Sequence, residues 1–190
     1  MYRYLIIECK HDQRLDDEVI SLLGEIITYS KVDKDGYQAI LYFQHEIDPF
    51  FEDVVLNMMS DTLSDLRVYV SHSITHEKDI DQHVAFMKQL INQIPFSKYY
   101  YLDNQTIVKH FIYQLSDEMK RFFLGKFYQD NLMKETLKAY LDANLNMVNA
   151  ARKLYIHRNT LIQRLDKFYH GTGFDIRIFS DALIIYHLID

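Results

Sequence analysis

The chain has 190 residues, enough for one large domain or two small ones, and 48% are hydrophobic against 25% charged, which excludes wholesale disorder. Cys9 is the one cysteine, so an internal disulfide and the Cys-rich zinc modules are ruled out. The net charge of −6 is unevenly divided: residues 133–190 hold 8 Lys/Arg and 6 Asp/Glu, net +2, and residues 1–132 hold 13 and 21, net −8.

Tyr4 to Glu8 (YLIIE) is β-branched and aromatic and predicts a buried first strand. Leu15 to Ile27 carries Val19, Leu22, Leu23, Ile26 and Ile27 at the spacing of an amphipathic helix. Strands over Ile27–Val32 and Tyr37–Phe43 are expected to be joined by a hairpin turn at Asp33-Lys34-Asp35-Gly36. A helix over Asp48–Leu63, a strand over Leu66–Val70, a helix over Asp79–Ile94 and a short strand over Tyr99–Leu102 follow. The order β-α-β-β-α-β-α-β predicts a small α/β sandwich, with helices covering one face of a mostly antiparallel sheet.

Beyond Asn104 the pattern is helical only: Thr106–Leu115, Ser116–Phe127, Met133–Ala143, Met147–Leu154, Arg158–Phe168 and Asp181–Leu188. Breaks are expected at Asn144-Leu145-Asn146, Tyr155-Ile156-His157 and Gly171-Thr172-Gly173. The division that results is an α/β domain over 1–104, a helical connector over 105–130 and an all-α domain over 131–190. No apolar run approaches the roughly 20 residues of a membrane span, so the expected location is the cytoplasm, with no membrane partner.

Function concentrates near residue 150. Asn146 is a good N-cap for the short helix MVNAARKL, a three-residue turn follows, and RNTLIQRLDKF forms the next helix. Leu161, Leu165 and Phe168 should face inward with Val148, Ala151, Leu154 and Ile156, leaving Arg158, Asn159, Ile162, Gln163 and Lys167 outward. Between residues 152 and 167, Arg152, Lys153, Arg158, Arg164 and Lys167 stand against Asp166 as the single acid. In a helix-turn-helix the second helix offers such side chains to the major groove, Arg to guanine and Asn or Gln to adenine.

The run ETLKAYLDANLNMVNAARKLYIHRNTLIQRLDKF resembles the C-terminal helix-turn-helix of PucR/CdaR-type transcriptional regulators and the DNA-binding end of Fis. The likeness centres on Leu154 to Leu161 with Arg164-Leu165, continues through Thr172 to Arg177, and covers residues 133–190. It implies that His157, Arg158 and Gln163 face base edges and that Asn159, Thr160 and Arg164 contact phosphates or the helix start, with Lys153 and Lys167 on the same basic surface. Val148 and Asn149 stand where that family has a small hydroxyl residue and an acid. The resemblance also implies that the α/β domain is degenerate GGDEF-like, and the fold class it completes is α+β.

Cyclic-dinucleotide synthesis needs a Gly-Gly-acid-acid hairpin, whereas this hairpin reads Asp33-Lys34-Asp35-Gly36, so no catalytic residues and no enzyme activity are expected. No cofactor and no metal are expected either. His72, His76 and His83 read as surface or hydrogen-bonded histidines, and Asp33 and Asp35 as a solvated turn, not part of a calcium loop. Tyr99-Tyr100-Tyr101 reads as an edge strand and Cys9 as a buried, inert thiol. The expected partners are double-stranded DNA and a second copy of the chain, with the small-molecule effector unknown. The alternative is a signalling or interaction protein whose cyclase-like domain is degenerate and whose helix-turn-helix does not bind DNA.

Overall fold

The computed structural model describes residues 1–10, 13–48, 50–62 and 65–190. It contains β1 (Arg3–Cys9), α1 (Asp17–Ile26), β2 (Lys31–Asp35), β3 (Gln38–Phe43), α2 (Phe51–Thr62), β4 (Leu66–Val70), α3 (Ile80–Asn92) and β5 (Tyr101–Leu102). The helical part comprises α4 (Asn104–His110), α5 (Asp117–Leu124), α6 (Asn131–Asp142), α7 (Met147–Lys153), α8 (Arg158–Thr172) and α9 (Phe179–Ile189). The chain divides into two compact units, Met1–Asp103 and Asn104–Asp190. The molecule is α+β, as expected, with strands confined to the first unit and helices alone in the second. Among the described residues no helix is long and apolar enough to cross a membrane.

In the first unit the five strands lie in the order β2-β3-β1-β4-β5, antiparallel except for the short parallel pair β4–β5. Successive side chains of a strand point to opposite faces, and in the central strands β3, β1 and β4 both faces are buried, whereas β2 is exposed. Leu5, Ile7, Ala39, Leu41, Phe43, Val68 and Val70 form one core with Val19 and Leu23 of α1 and Phe51 and Val55 of α2. On the other face the Tyr4 hydroxyl meets Nδ1 of His83 in α3 at 2.6 Å. Arg67 of β4 donates there to the backbone oxygens of Ile94 (2.7 Å) and Ile91 (3.2 Å), at the end of α3. The expectation that helices cover one face is therefore corrected: β1 and β4 are apolar at nearly every position because both their faces are covered.

The hairpin also differs from its sequence reading. Asp35 pairs with Gln38, so the turn is Gly36-Tyr37, and Asp33 and Asp35 lie within β2. Gly36 takes φ +53, the positive φ that the first central residue of a two-residue hairpin turn requires. The expected turn is thus strand, and Asp33 pairs with Lys31 at 2.7 Å. Glu8, the carboxylate on β1, is engaged by Arg67 Nε (2.6 Å) and Gln38 Nε2 (3.0 Å) in a buried cluster. Those hydrogen bonds satisfy a charge that would otherwise be costly to bury.

In the second unit α6 is the central support. α7, α8 and α9 all pack on it, α8 also packs on α7, and α4 and α5 pack on α9. The sequence reading ends α8 at Phe168 and breaks the chain at Gly171, but the helix runs on to Thr172 and stops at Gly173, where φ is +80. Gly171 is there for proximity: a Cβ on it would lie 2.6 Å from Cε2 of Phe127. The Phe127 ring in turn packs on Phe168, with centroids 5.2 Å apart.

Candidate nucleic-acid interface

The site is built by the junction of α7 and α8. Asn146 caps α7, its Oδ1 accepting from Val148 N (3.1 Å) and Asn149 N (3.0 Å), as the sequence predicts. At the other end Tyr155 N–H donates to Arg152 O (3.1 Å) and Ile156 N–H to Ala151 O (3.0 Å). This pair of bonds is the Schellman motif, and it turns the chain sharply towards α8. The left-handed position of that motif is usually glycine; here it is Tyr155, at φ +54 and 96% exposed. Ala150 and Ala151 are buried and let the two helices approach closely.

His157 is the N-cap of α8. Its Nδ1 accepts from Asn159 N at 3.2 Å, which places the ring proton of the capping form on Nε2, the outer edge of the ring. Leu161, Leu165 and Phe168 are buried, as expected. Val148 is 53% exposed, which corrects its inward assignment: α7 turns Ala150 and Ala151 inward and leaves Val148 on the outer side. At 3.6 residues per turn, Asn159, Gln163, Asp166 and Lys167 project opposite the buried stripe, whereas Arg158, the first residue of the helix, stands in line with Leu161 and Leu165 and is exposed at the helix end. Arg158, Asn159, Gln163 and Lys167 are exposed and Thr160 is half-buried.

Two predicted site residues are held by the protein itself. Arg164 Nη1 donates to Thr136 Oγ1 of α6 at 3.0 Å, so its side chain points back into the helical unit. Lys153 pairs with Asp142 at 2.6 Å across α7 and α6. The structure therefore brings Asn159, Gln163 and Lys167 together on the outer face of α8, leaves His157 and Arg158 exposed at its start, holds Lys153 on Asp142 and turns Arg164 away.

A further group escaped the sequence reading. Arg177, from the loop after α8, reaches back to Asp166 (Nη1–Oδ1 2.7 Å) while its Nε holds Asp175 Oδ1 at 2.6 Å. Its guanidinium is driven further above its usual range, chiefly by the hydrogen bond to Asp175 with Asp166 adding. Asp175 N–H is held by Asp181 Oδ2 at 2.9 Å, so the loop is anchored to the start of α9. An Asp-x-Arg spacing just after the helix end was the one sequence signal for it.

Elsewhere His83 is half-buried against Tyr4, and desolvation, with His72 adding, pushes its imidazole down to about 4. Among the described residues no group of three His, Cys, Asp or Glu is placed to hold a metal ion. Cys9 is buried, its thiol donating to Tyr37 O at 3.4 Å, and Tyr101 lies in the edge strand β5. On the second unit Phe179, Leu183 and Tyr186 of α9, respectively 78%, 48% and 52% exposed, line an apolar groove with Leu141 and Leu145.

Comparison with known proteins bears on the same segment. Residues 133–188, the segment from α6 through α9, match the PucR C-terminal helix-turn-helix domain. A stretch of 62 residues, 33% of this chain, is 36% identical to the uncharacterised protein YxkF of Bacillus subtilis and covers 21% of it. A stretch of 57 residues, 30% of this chain, is 37% identical to the carbohydrate diacid regulator of Escherichia coli and covers 15% of it. The chain thus spans a minor part of the length of these relatives. A regulator of polyketide synthase expression from Bifidobacterium adolescentis superposes with a TM-score of 0.44 over 99% of this chain and 78% of that one, at 14% identity. The second unit carries a PucR-type helix-turn-helix.

Proposed function

We propose, from the PucR-type helix-turn-helix of residues 133–188, that the protein is a cytoplasmic transcriptional regulator that binds double-stranded DNA in a sequence-dependent way. The observation that carries this reading is the start of α8: capped by His157, set against α7 by a tight turn, and lined outward by Arg158, Asn159 and Gln163. With α8 in the major groove, Arg158 and Gln163 face base edges, and the outer Nε2–H of His157 serves as a further donor. Unpaired N–H groups of the first turn, together with Asn159, Thr160 and Lys167, receive phosphate oxygens. Arg164 and Lys153 act through the packing of α6, α7 and α8. Lys153 joins the phosphate contacts only on leaving Asp142.

One short recognition helix touches few base pairs, so the reading includes a dimer on two half-sites about 34–36 Å apart. The exposed stripe of α9 supports a second copy as the partner. α8 and α9 both pack on α6, and adjacent helix axes lie roughly 8–10 Å apart. A chain of contacts α8–α6–α9 continued into its symmetry mate has five such steps, up to about 50 Å, which encloses the required spacing. The first unit, with its β2-β3-β1-β4-β5 sheet whose central strands are covered on both faces, is proposed as a non-catalytic, degenerate GGDEF-like module. Its buried Glu8–Arg67 pair occupies the strand where a metal-binding carboxylate would be needed.

Fluorescence anisotropy of the purified chain on duplexes selected from a genomic pool, titrated with salt, tests the proposal. Tight binding that weakens steeply with salt and loses sequence preference in Arg158→Ala is the expected result. A folded protein that binds no duplex even at low salt would overturn it and favour an interaction role.

A further inference from the structure

Asp166 is the one acidic residue between positions 152 and 167, and it lies on the outward face of α8 beside Gln163 and Lys167. Eight residues separate it from Arg158, about 12 Å along the helix axis. A carboxylate there faces the same phosphates as the basic side chains, and the charge repels them. Arg177 meets Asp166 from outside the helix, at 2.7 Å, and is aimed by Asp175, which accepts both its Nε (2.6 Å) and its backbone N–H (3.1 Å). Asp175 is in turn fixed to the first turn of α9 through Asp181. The Asp166 and Arg177 side chains are 42% and 34% exposed, so this pair contributes little to folding. What it alters is the field in front of α8.

We infer that Arg177 is a positioning residue for duplex binding, which holds the Asp166 carboxylate off the DNA phosphates and offsets its charge. This rests on the regulator reading above. The Asp175–Arg177–Asp166 arrangement is an electrostatic screen at the rear of the recognition surface, supplied by the loop that leads into α9. Arg177 need not touch DNA, because its Nε and Nη1 donors are already committed within the protein.

The test compares wild type, Arg177→Ala, Asp166→Asn and the double variant on one labelled duplex selected by the wild type, with salt titration and thermal unfolding of each protein. Uncompensated repulsion across several ångströms of high-dielectric medium predicts roughly a three- to tenfold weaker affinity for Arg177→Ala. The double variant should return to within about twofold of wild type, and Asp166→Asn alone should bind about two- to threefold tighter, since Arg177 then adds an unopposed charge. Thermal stability should not follow these changes. The salt slope should be the same in all four proteins; a slope lower by about one phosphate in Arg177→Ala, without rescue in the double variant, would make Arg177 a direct ligand and overturn the inference. Unchanged affinity in Arg177→Ala would overturn it as well. Should Arg177→Ala fail to fold, Asp166→Asn decides alone, unchanged affinity refuting the screen. A wild type that binds no duplex refutes the regulator reading itself, whereas wild-type binding indifferent to these variants refutes only the screen.

Discussion

Replacing Gly171 by alanine sets two physical effects against each other. Gly171 lies inside α8, where alanine is favoured by about 0.5–1 kcal/mol on helix propensity alone. The added methyl, however, would stand 2.6 Å from Cε2 and 3.1 Å from Cζ of Phe127. That ring is 2% exposed and packs on the fully buried Phe168, so it has little room to retreat. Overpacking of this kind typically costs 1–3 kcal/mol, which leaves a net destabilisation of up to about 2.5 kcal/mol. In a chain of this size each kcal/mol lowers Tm by roughly 2–4 °C. Thermal unfolding followed by circular dichroism reads the change, and Phe127→Leu combined with Gly171→Ala should recover part of it. A Gly171→Ala protein that melts above wild type would refute the close approach and leave propensity as the only effect.

Other variants test other parts of the structure. Tyr155→Gly relieves a left-handed conformation and should stabilise the folded chain by about 1 kcal/mol in urea denaturation; a loss of stability would mean that the exposed ring is held by contacts that matter. Arg67→Met leaves Glu8 charged and buried with Gln38 alone, and should cost about 3–5 kcal/mol by the same assay. His83, pushed down to about 4 by burial, stays neutral in the folded chain while the unfolded chain takes up a proton near the ordinary value of 6.5. Its contribution is therefore fully present above about 6.5 and is lost as pH falls towards about 4, at up to about 1.4 kcal/mol per pH unit. His83→Gln should flatten the stability profile across that window, and an unchanged slope would assign it to other groups. His157→Ala removes the α8 cap and should cost about 0.5–2 kcal/mol together with some duplex affinity; unaltered stability would show that the cap is not formed in solution.

The elements that sequence reasoning located well are those whose signals are local. The Asn146 cap, the inward triad Leu161, Leu165 and Phe168, and the strand Leu66–Val70 each depend on a few neighbouring residues. What it missed depends on partners distant in sequence. Gly171 looks like a helix breaker until Phe127 is seen across from it, 44 positions earlier in the chain. Arg164 counts as one more cation until Thr136 is found to hold it, and Asp33 looks like turn until its pairing with Ile40 places it in a strand. The α3 helix was assigned to the wrong face because alternation marks which residues of a strand are buried, not which helix buries them.

The strand β2 has a bearing on assembly. It forms one margin of the sheet, and its residues, Lys31, Val32, Asp33, Lys34 and Asp35, are all exposed, with a charge at four of the five positions. A parallel, in-register strand from a second copy would bring like charges together at four of the five positions, and any docking strand would have to cover four charged side chains. The opposite margin is β5, only two residues long. A charged strand at one border and a very short one at the other both blunt the edge-to-edge fusion of sheets that leads to open-ended aggregates. The dimer proposed above would accordingly pair through side-chain packing on helices, where two copies can close upon each other and stop, and not through the sheet.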